Sequence, residues 1–178
     1  MKRTVLSLLA FVIAAVLLLS MALPANANAT RIEVSSFEYD CANELEQEWM
    51  GGQVYHIRNY HHTNRDVSDS PELDGINTTV GDADINLKTG VTTIRGTMSF
   101  QPSTIDGTWE GAWTWIYNHG VIRGYAVAHG TGALFGKTLF LNLYDASPTP
   151  DDEAMCDGLG AWEGNVSTQG YILDTGAP

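Results

Sequence analysis

Hydrophobic and polar residues alternate over short stretches of the chain, and clusters of Gly, Asn, Asp and Pro separate these stretches. The stretches are rich in Thr, Val, Ile and aromatic residues, and no amphipathic helical pattern follows the apolar N-terminal segment. This pattern predicts an all-β protein. The eight predicted strands span residues 31–39, 53–63, 76–87, 91–101, 108–117, 120–129, 133–144 and 161–173.

Short turns join most of the predicted strands. Gly and Asn at 88–90 and at 118–120 supply the positive φ of tight hairpins, and a longer turn spans 102–107. Short connections place consecutive strands side by side and antiparallel. We therefore expect one domain over residues 28–178, a single antiparallel up-and-down β-barrel of about eight strands.

A Gly-x-x-x-Gly spacing recurs at the predicted strand starts. Positions four apart on a strand share a face, so each copy removes two side chains from one side. We interpret the spacing as a source of curvature and close strand approach. A ligand site lined by backbone is the alternative. The four copies are Gly107–Gly111, Gly120–Gly124, Gly132–Gly136 and Gly160–Gly164.

Two of the predicted strands carry unusual apolar faces. In the fifth, Trp109, Trp113 and Trp115 share one face, which indicates that this face is buried. In the seventh, Leu139 and Phe140 make opposite faces apolar, and such a strand is covered on both sides. We therefore expect a homo-oligomer through the seventh strand, with a covering loop of the same chain as the alternative.

The glycine-rich hairpins also carry a resemblance. The run at 128–136, preceded by Gly-Thr-Trp-Glu-Gly-Ala-Trp at 107–113 and followed by Gly-Tyr-Ile-Leu-Asp at 170–174, resembles secreted bacterial proteins. Its Gly-Thr-Gly-x-x-x-Gly element also resembles hairpins of the dirigent and allene-oxide-cyclase type barrels, over residues 91–173. The resemblance implies a closed barrel with a small apolar interior, which those families use to steer or cyclise hydrophobic substrates. It assigns a role to no residue.

The N-terminus has the three parts of a secretory signal: a basic start, an apolar run over residues 5–23 and an Ala-x-Ala site. We predict a signal peptide over residues 1–27, with cleavage after Ala27 or, alternatively, after Ala29. The apolar run is long enough for a membrane anchor, but Pro24 and the Ala-x-Ala site favour cleavage. We expect a secreted protein, extracellular or in the cell envelope, without membrane contact after cleavage.

Charge and cysteine content fit export. Without Lys2 and Arg3 the chain keeps seven Lys and Arg against 21 Asp and Glu, a net charge of −14. Such a surface repels phosphate, so we expect no nucleic-acid partner. The chain has two cysteines, and in an oxidising compartment the simplest interpretation is one disulfide between Cys41 and Cys156.

Five histidines raise the question of a metal site. On a regular strand His56 and His62 share a face but lie about 20 Å apart, too far for one ion. We therefore expect no metal site. The other histidines are His61, His119 and His129.

Two acidic clusters suggest loops, and we expect both to be solvated because neither has the ligand spacing of a known calcium loop. Calcium binding is the alternative. One cluster is Asp66, Asp69, Glu72 and Asp74, and the other is Asp151, Asp152, Glu153 and Asp157.

Acid–base catalysis would need titratable side chains inside the barrel. On the sixth strand the candidates alternate with small apolar residues at 122–128, which suit the crowded interior and place the candidates outside. The candidate catalytic residues are Glu110, Arg123, Tyr125, His129 and Glu163.

Two functions follow from these observations. The first is a binding module for a small molecule, a carbohydrate or a partner surface, because the chain is rich in tryptophan and lacks convergent catalytic motifs. The second is a cofactor-free isomerase or cyclase that acts on a hydrophobic substrate in the barrel. We expect no cofactor for either. The candidate binding residues are Trp109, Trp113, Trp115 and Trp162.

Overall fold

The computed structural model describes residues 29–119, 121–147, 155–156 and 165–176. These residues form eight strands and one turn of 3₁₀ helix. The strands are β1 Thr30–Gly51, β2 Val54–Val67, β3 Gly75–Asn86, β4 Thr92–Pro102, β5 Trp109–Asn118, β6 Val121–Gly130, β7 Lys137–Asp145 and β8 Val166–Asp174, and the 3₁₀ helix is Gly132–Leu134.

All eight strands belong to one closed antiparallel barrel in which each strand pairs with its neighbours in sequence. The ring closes between β1 and β8, with Thr30 opposite Asp174 and Glu38 opposite Val166. Within the ring each strand has a partner on both sides, which satisfies the backbone hydrogen bonds there without help from helices. The predicted all-β up-and-down barrel is confirmed.

β1 is much longer than the predicted strand over 31–39. Its second half, from Ala42 to Gly51, pairs with β2 alone and extends the hairpin past β8. Leu45, Trp49 and Met50 are exposed on this extension. Its sequence is rich in Glu and Gln, which favour strands poorly, so its strand character comes from pairing with β2.

β7 begins at Lys137, so the strand predicted over 133–144 is wrong at its start. Gly132–Leu134 forms a 3₁₀ helix, and Leu134 packs into the barrel end with 1% exposure. The outer face of β7 is therefore less apolar than predicted. Phe140 lies on it and stacks on Tyr171 of β8, with ring centroids 4.9 Å apart. The homo-oligomer stays a prediction.

Two irregularities change which residues face inward. The β1–β2 register shifts between Asp40 and Ala42, and the β2–β3 register shifts between Ile57 and Tyr60. Asn59, at the second site, has φ 52°, a conformation that Asn tolerates better than most residues.

The bulge at Asn59 corrects the prediction that His56 and His62 share a face. His56 bonds Asp84 on the outside, with 2.6 Å between Nδ1 and Oδ1. His62, beyond the bulge, lies inside the barrel. An extra residue between them reverses the alternation of the strand.

Glycines allow the close strand approach that the repeated spacing predicts. A Cβ on Gly111 would lie 2.1 Å from the carbonyl oxygen of Val127, and one on Gly124 would lie 2.4 Å from that of Thr114. The third copy differs from prediction, because Gly132 and Gly136 lie in the turn before β7 with positive φ. Gly120, Gly160 and Gly164 lie outside the described residues.

The predicted disulfide is confirmed. Cys41 of β1 is bonded to Cys156, 115 residues later in the sequence, and both are buried. No helix among the described residues is long and apolar enough to cross a membrane. The predicted signal peptide over residues 1–27 lies outside the described residues. So do Trp162, Glu163 and the second acidic cluster, Asp151, Asp152, Glu153 and Asp157.

Candidate functional site

The barrel interior has two chemically different walls. Strands β4 to β8 line one wall with apolar side chains, and strands β1 to β3 line the other with polar ones. The inward polar residues are Ser36, Glu38, Asp40, Tyr60, His62, Asn64, Asp66, Asn77 and Thr79, joined by Thr168 of β8.

Between the two walls lies a cavity of about 220 Å³. This volume is somewhat below the roughly 300–1,000 Å³ of pockets for drug-sized ligands, so the cavity fits a smaller molecule. Its apolar lining is Leu73, Ile94, Met98, Phe100, Trp113, Trp115, Ala126, Leu139, Leu141 and Leu143.

One end of the barrel is closed. Leu73, Trp109 and Leu134 are buried there, and the indole Nε1 of Trp109 donates to the carbonyl oxygen of Glu72 at 2.9 Å. At the opposite end the lining residues Ile94 and Trp115 are only half-buried. Among the described residues, the cavity is therefore least covered at the end that carries the β1–β2 turn.

Glu38 lies at the centre of the polar wall. Asn77 donates its Nδ2 hydrogen to Glu38 Oε2 at 3.2 Å, and the side chain of Asn64 is also hydrogen-bonded to Glu38. Burial away from water raises the pKa of Glu38 to about 7, although these two hydrogen bonds oppose the rise. Near neutral pH this side chain can therefore hold or release a proton.

Asp66 is a second buried carboxyl in the same cavity. Ser36 donates its hydroxyl to Asp66 Oδ1 at 3.0 Å and lies 2.7 Å from the Thr168 hydroxyl. Burial, followed by the nearby charge of Glu38, raises the pKa of Asp66 well above its ordinary value. Two acids that share one desolvated space do not ionise independently.

His62 adds a ring nitrogen to this group. Its Nδ1 lies 3.4 Å from Asp40 Oδ1, which is the usual arrangement for orienting an imidazole. Its Nε2 is buried and has no hydrogen-bond partner among the described residues. Tyr60 packs against the ring with centroids 3.7 Å apart, and burial raises the pKa of its phenol. This nitrogen is therefore free to exchange a hydrogen bond or a proton with a molecule in the cavity.

The raised pKa of Glu38 predicts a stability that falls as pH rises. Unfolded Glu38 releases its proton near pH 4.5 and folded Glu38 near pH 7, so the unfolded state binds fewer protons between these values. We expect the free energy of unfolding to fall by on the order of 3 kcal/mol from pH 4.5 to pH 8. Urea unfolding across this range measures it.

Glu38→Gln removes one of the two titrating carboxyls and should make this profile less steep and stabilise the protein at pH 8, while the contribution of Asp66 remains. Glu110→Gln, which alters an exposed carboxyl on the outer face, is the matched control and should leave the profile unchanged. A free energy of unfolding that rises between pH 4.5 and pH 7 would contradict the raised pKa of Glu38.

The structure places the candidate tryptophans of β5 inside the barrel. Trp109 is fully buried at the closed end, and Trp113, 9% exposed, lines the cavity and donates to the Thr97 carbonyl oxygen at 3.2 Å. Trp115 lines the cavity near its open end. They therefore belong to the interior and do not form a surface platform.

The candidate catalytic residues of β5 and β6 lie on the outer surface. Glu110 and His129 are opposite each other across these strands, and Ser99 donates to Glu110 Oε1 at 2.8 Å. Arg123 and the 58% exposed Tyr125 lie further along β6. The alternation with small apolar residues predicted this placement for Arg123, Tyr125 and His129, and the outward direction separates all four from the cavity.

Sequence reasoning missed the polar wall, although a signal was present. Tyr60, His62, Asn64 and Asp66 recur at every second position of β2 and therefore share a face. The prediction ended this strand at residue 63 and placed Asp66 in a solvated loop, whereas Asp66 is a buried residue of the strand. Ending the strand at residue 63 removed Asn64 and Asp66 from this face, and this hid the site.

The described residues contain no group of three His, Cys, Asp or Glu arranged to hold a metal ion. In the first acidic cluster, Asp74 accepts from Arg65 at 2.8 Å and Glu72 lies 3.4 Å from Lys137 Nζ. These two carboxylates thus have cationic partners. Asp66 lies inside the barrel, so the acidic side chains of this cluster do not meet at one calcium site.

Comparisons with protein-family models, curated proteins and solved structures find no match for this chain.

Proposed function

We propose that this protein is a secreted small-molecule-binding barrel whose ligand occupies the interior cavity. The observation that carries the proposal is a cavity of about 220 Å³ with an apolar wall on one side and buried hydrogen-bonding groups on the other. A ligand with an apolar body and one polar end would complement both walls. The Cys41–Cys156 disulfide fits an oxidising, extracellular compartment.

A thermal-shift screen of small neutral, anionic and cationic aromatic molecules tests this proposal, with tryptophan fluorescence as a second readout because Trp113 and Trp115 line the cavity. Binding in the cavity should be lost in Ala126→Leu, which fills it from β6. Ala112→Leu, on the exposed face of β5, is the matched control. Binding that survives Ala126→Leu, with both variants folded by circular dichroism, would place the ligand elsewhere and overturn the proposal.

The convergence of Glu38, Asp66 and His62 favours a second function, a cofactor-free isomerase or cyclase. A carboxyl that titrates near pH 7 and an unpartnered imidazole nitrogen, both facing an apolar wall, can donate and accept protons on a hydrophobic substrate.

Hydrogen–deuterium exchange tests this acid–base chemistry. Phenylacetone in D₂O should exchange its α-protons faster with the protein, as followed by NMR. The exchange should fall in Glu38→Gln and persist in Glu110→Gln. An exchange rate equal to that in buffer would argue against proton transfer in the cavity and leave the binding function standing.

A further inference from the structure

Three acceptor oxygens in the cavity lack a partner. Asn64 Oδ1, Asp66 Oδ2 and Asn77 Oδ1 are buried and make no hydrogen bond within the described chain. Each belongs to a side chain that is more than nine-tenths buried and that lines the cavity. Burying an acceptor without a donor costs free energy, so their accumulation at one place indicates a ligand that donates.

The amide and hydroxyl donors nearest Glu38 and Asp66 are already engaged within the protein. Asn77 gives its Nδ2 hydrogen to Glu38, and the side chain of Asn64 is hydrogen-bonded to the same carboxyl. Ser36 gives its hydroxyl hydrogen to Asp66. Around Glu38 and Asp66, the wall therefore presents carboxyl and amide oxygen to a ligand.

The described residues give the cavity no positively charged side chain. It is lined by the carboxyl groups of Glu38, Asp40 and Asp66, and none of its described lining residues is Lys or Arg. The neighbouring Arg65 donates to Asp74 Oδ1 and to the Gly75 carbonyl oxygen, both at 2.8 Å. Its guanidinium is thus directed away from the cavity.

Aromatic rings line the same space. Trp113 and Trp115 form a T-shaped pair with centroids 5.8 Å apart, and Tyr60 faces the cavity from β2. The faces of such rings attract cations, most strongly when water is excluded.

From this arrangement we infer that the cavity binds a small primary ammonium compound, with its ammonium group on Glu38, Asp66 and the unpartnered oxygens and its apolar body against Trp113. The inference rests on the proposed function, because it specifies the ligand class of the same cavity. An ammonium group has three donors and no acceptor, which matches three unpartnered acceptors.

Ammonium binding should depend on pH. The titratable groups that face the cavity are Glu38 and Asp40 of β1 and Tyr60, His62 and Asp66 of β2; the described lining residues of the other strands do not titrate. Because Glu38 and Asp66 hold protons more strongly than exposed carboxyls, a cation must displace these protons. The affinity should therefore rise as the pH rises through the pKa of Glu38, about 7.

Calorimetry with phenethylamine, 2-phenylethanol, 3-phenylpropanoate and phenethyltrimethylammonium tests the inference at pH 6 and pH 8. We expect phenethylamine to bind at least tenfold more tightly than the other three at pH 8. At pH 6 its binding should release protons to the buffer. Glu38→Gln and Asp66→Asn should each weaken phenethylamine about tenfold and leave 2-phenylethanol unchanged, while Glu110→Gln should change neither.

The outcomes separate this inference from the proposed function. If the alcohol or the carboxylate binds as tightly as phenethylamine, the ammonium inference is overturned and the binding function survives. If phenethyltrimethylammonium, which has the charge but no N–H donor, binds as tightly as phenethylamine, the unpartnered oxygens do not accept hydrogen bonds from the ligand. If none of the four binds, the ammonium inference fails, and the broader ligand screen decides the binding function.

Discussion

Trp109→Ala is expected to lower the free energy of unfolding by about 3–5 kcal/mol. The indole is completely buried at the closed end of the barrel, in the core cluster that also contains Leu73 and Leu134. Its removal leaves a cavity that rigid neighbouring strands cannot fill, and it also leaves the Glu72 carbonyl oxygen without its donor. The urea midpoint, measured with an unchanged m-value, gives the loss directly.

Trp115→Ala is the matched control for this substitution. Trp115 lies on the same face of β5 but near the open end, where it is only half-buried. Its removal should lower the free energy of unfolding by no more than about 2 kcal/mol, because solvent can occupy the space that is left. Equal losses for the two variants would contradict the assignment of closed and open ends.

The barrel could be predicted from sequence because its determinants are local. Alternation, turn residues and the tryptophan face of β5 all depend on residues that are close in sequence, and they gave the strand order and the inward face of β5 and β6. The extension of β1 to Gly51 was not predictable in this way. It depends on pairing with β2, which a reading of residue types along one strand does not include.

The polar wall was hidden for two physical reasons. A closed barrel has an inside and an outside, and the alternation of β2 shows two faces without saying which face is which. The bulge at Asn59 then reverses the alternation, so the position of His56 predicts the wrong side for His62. The pairing of β2 with β3 in the closed barrel shows both which face of β2 is inside and where the alternation reverses.

Stability and function oppose each other in this interior. A barrel of this size could be filled with apolar side chains, as the wall formed by β4 to β8 is. Three carboxyl groups face the cavity instead, and burial raises the pKa of Glu38 and Asp66. Buried acids without a cationic partner are destabilising when ionised, so their presence in the interior indicates a functional site.

Removing the disulfide with Cys41→Ala and Cys156→Ala should lower the free energy of unfolding by up to about 5 kcal/mol. The bond links residues 115 positions apart, and on the chain-entropy model such a long link strongly restricts the unfolded chain. Urea unfolding of the double variant and the parent measures the loss. Dithiothreitol should destabilise the parent by a similar amount and leave the double variant unchanged.

The same substitution should also disturb the cavity, because Cys41 directly follows Asp40 at the β1 bulge. Asp40 approaches His62 Nδ1 at 3.4 Å, so the backbone that the disulfide fixes also positions the partner of the imidazole. We expect the fluorescence change on ligand binding to weaken in the double variant under conditions in which it remains folded. An unfolding midpoint equal to that of the parent would show that pairing of β1 with β2 and β8 holds this strand without the covalent bond.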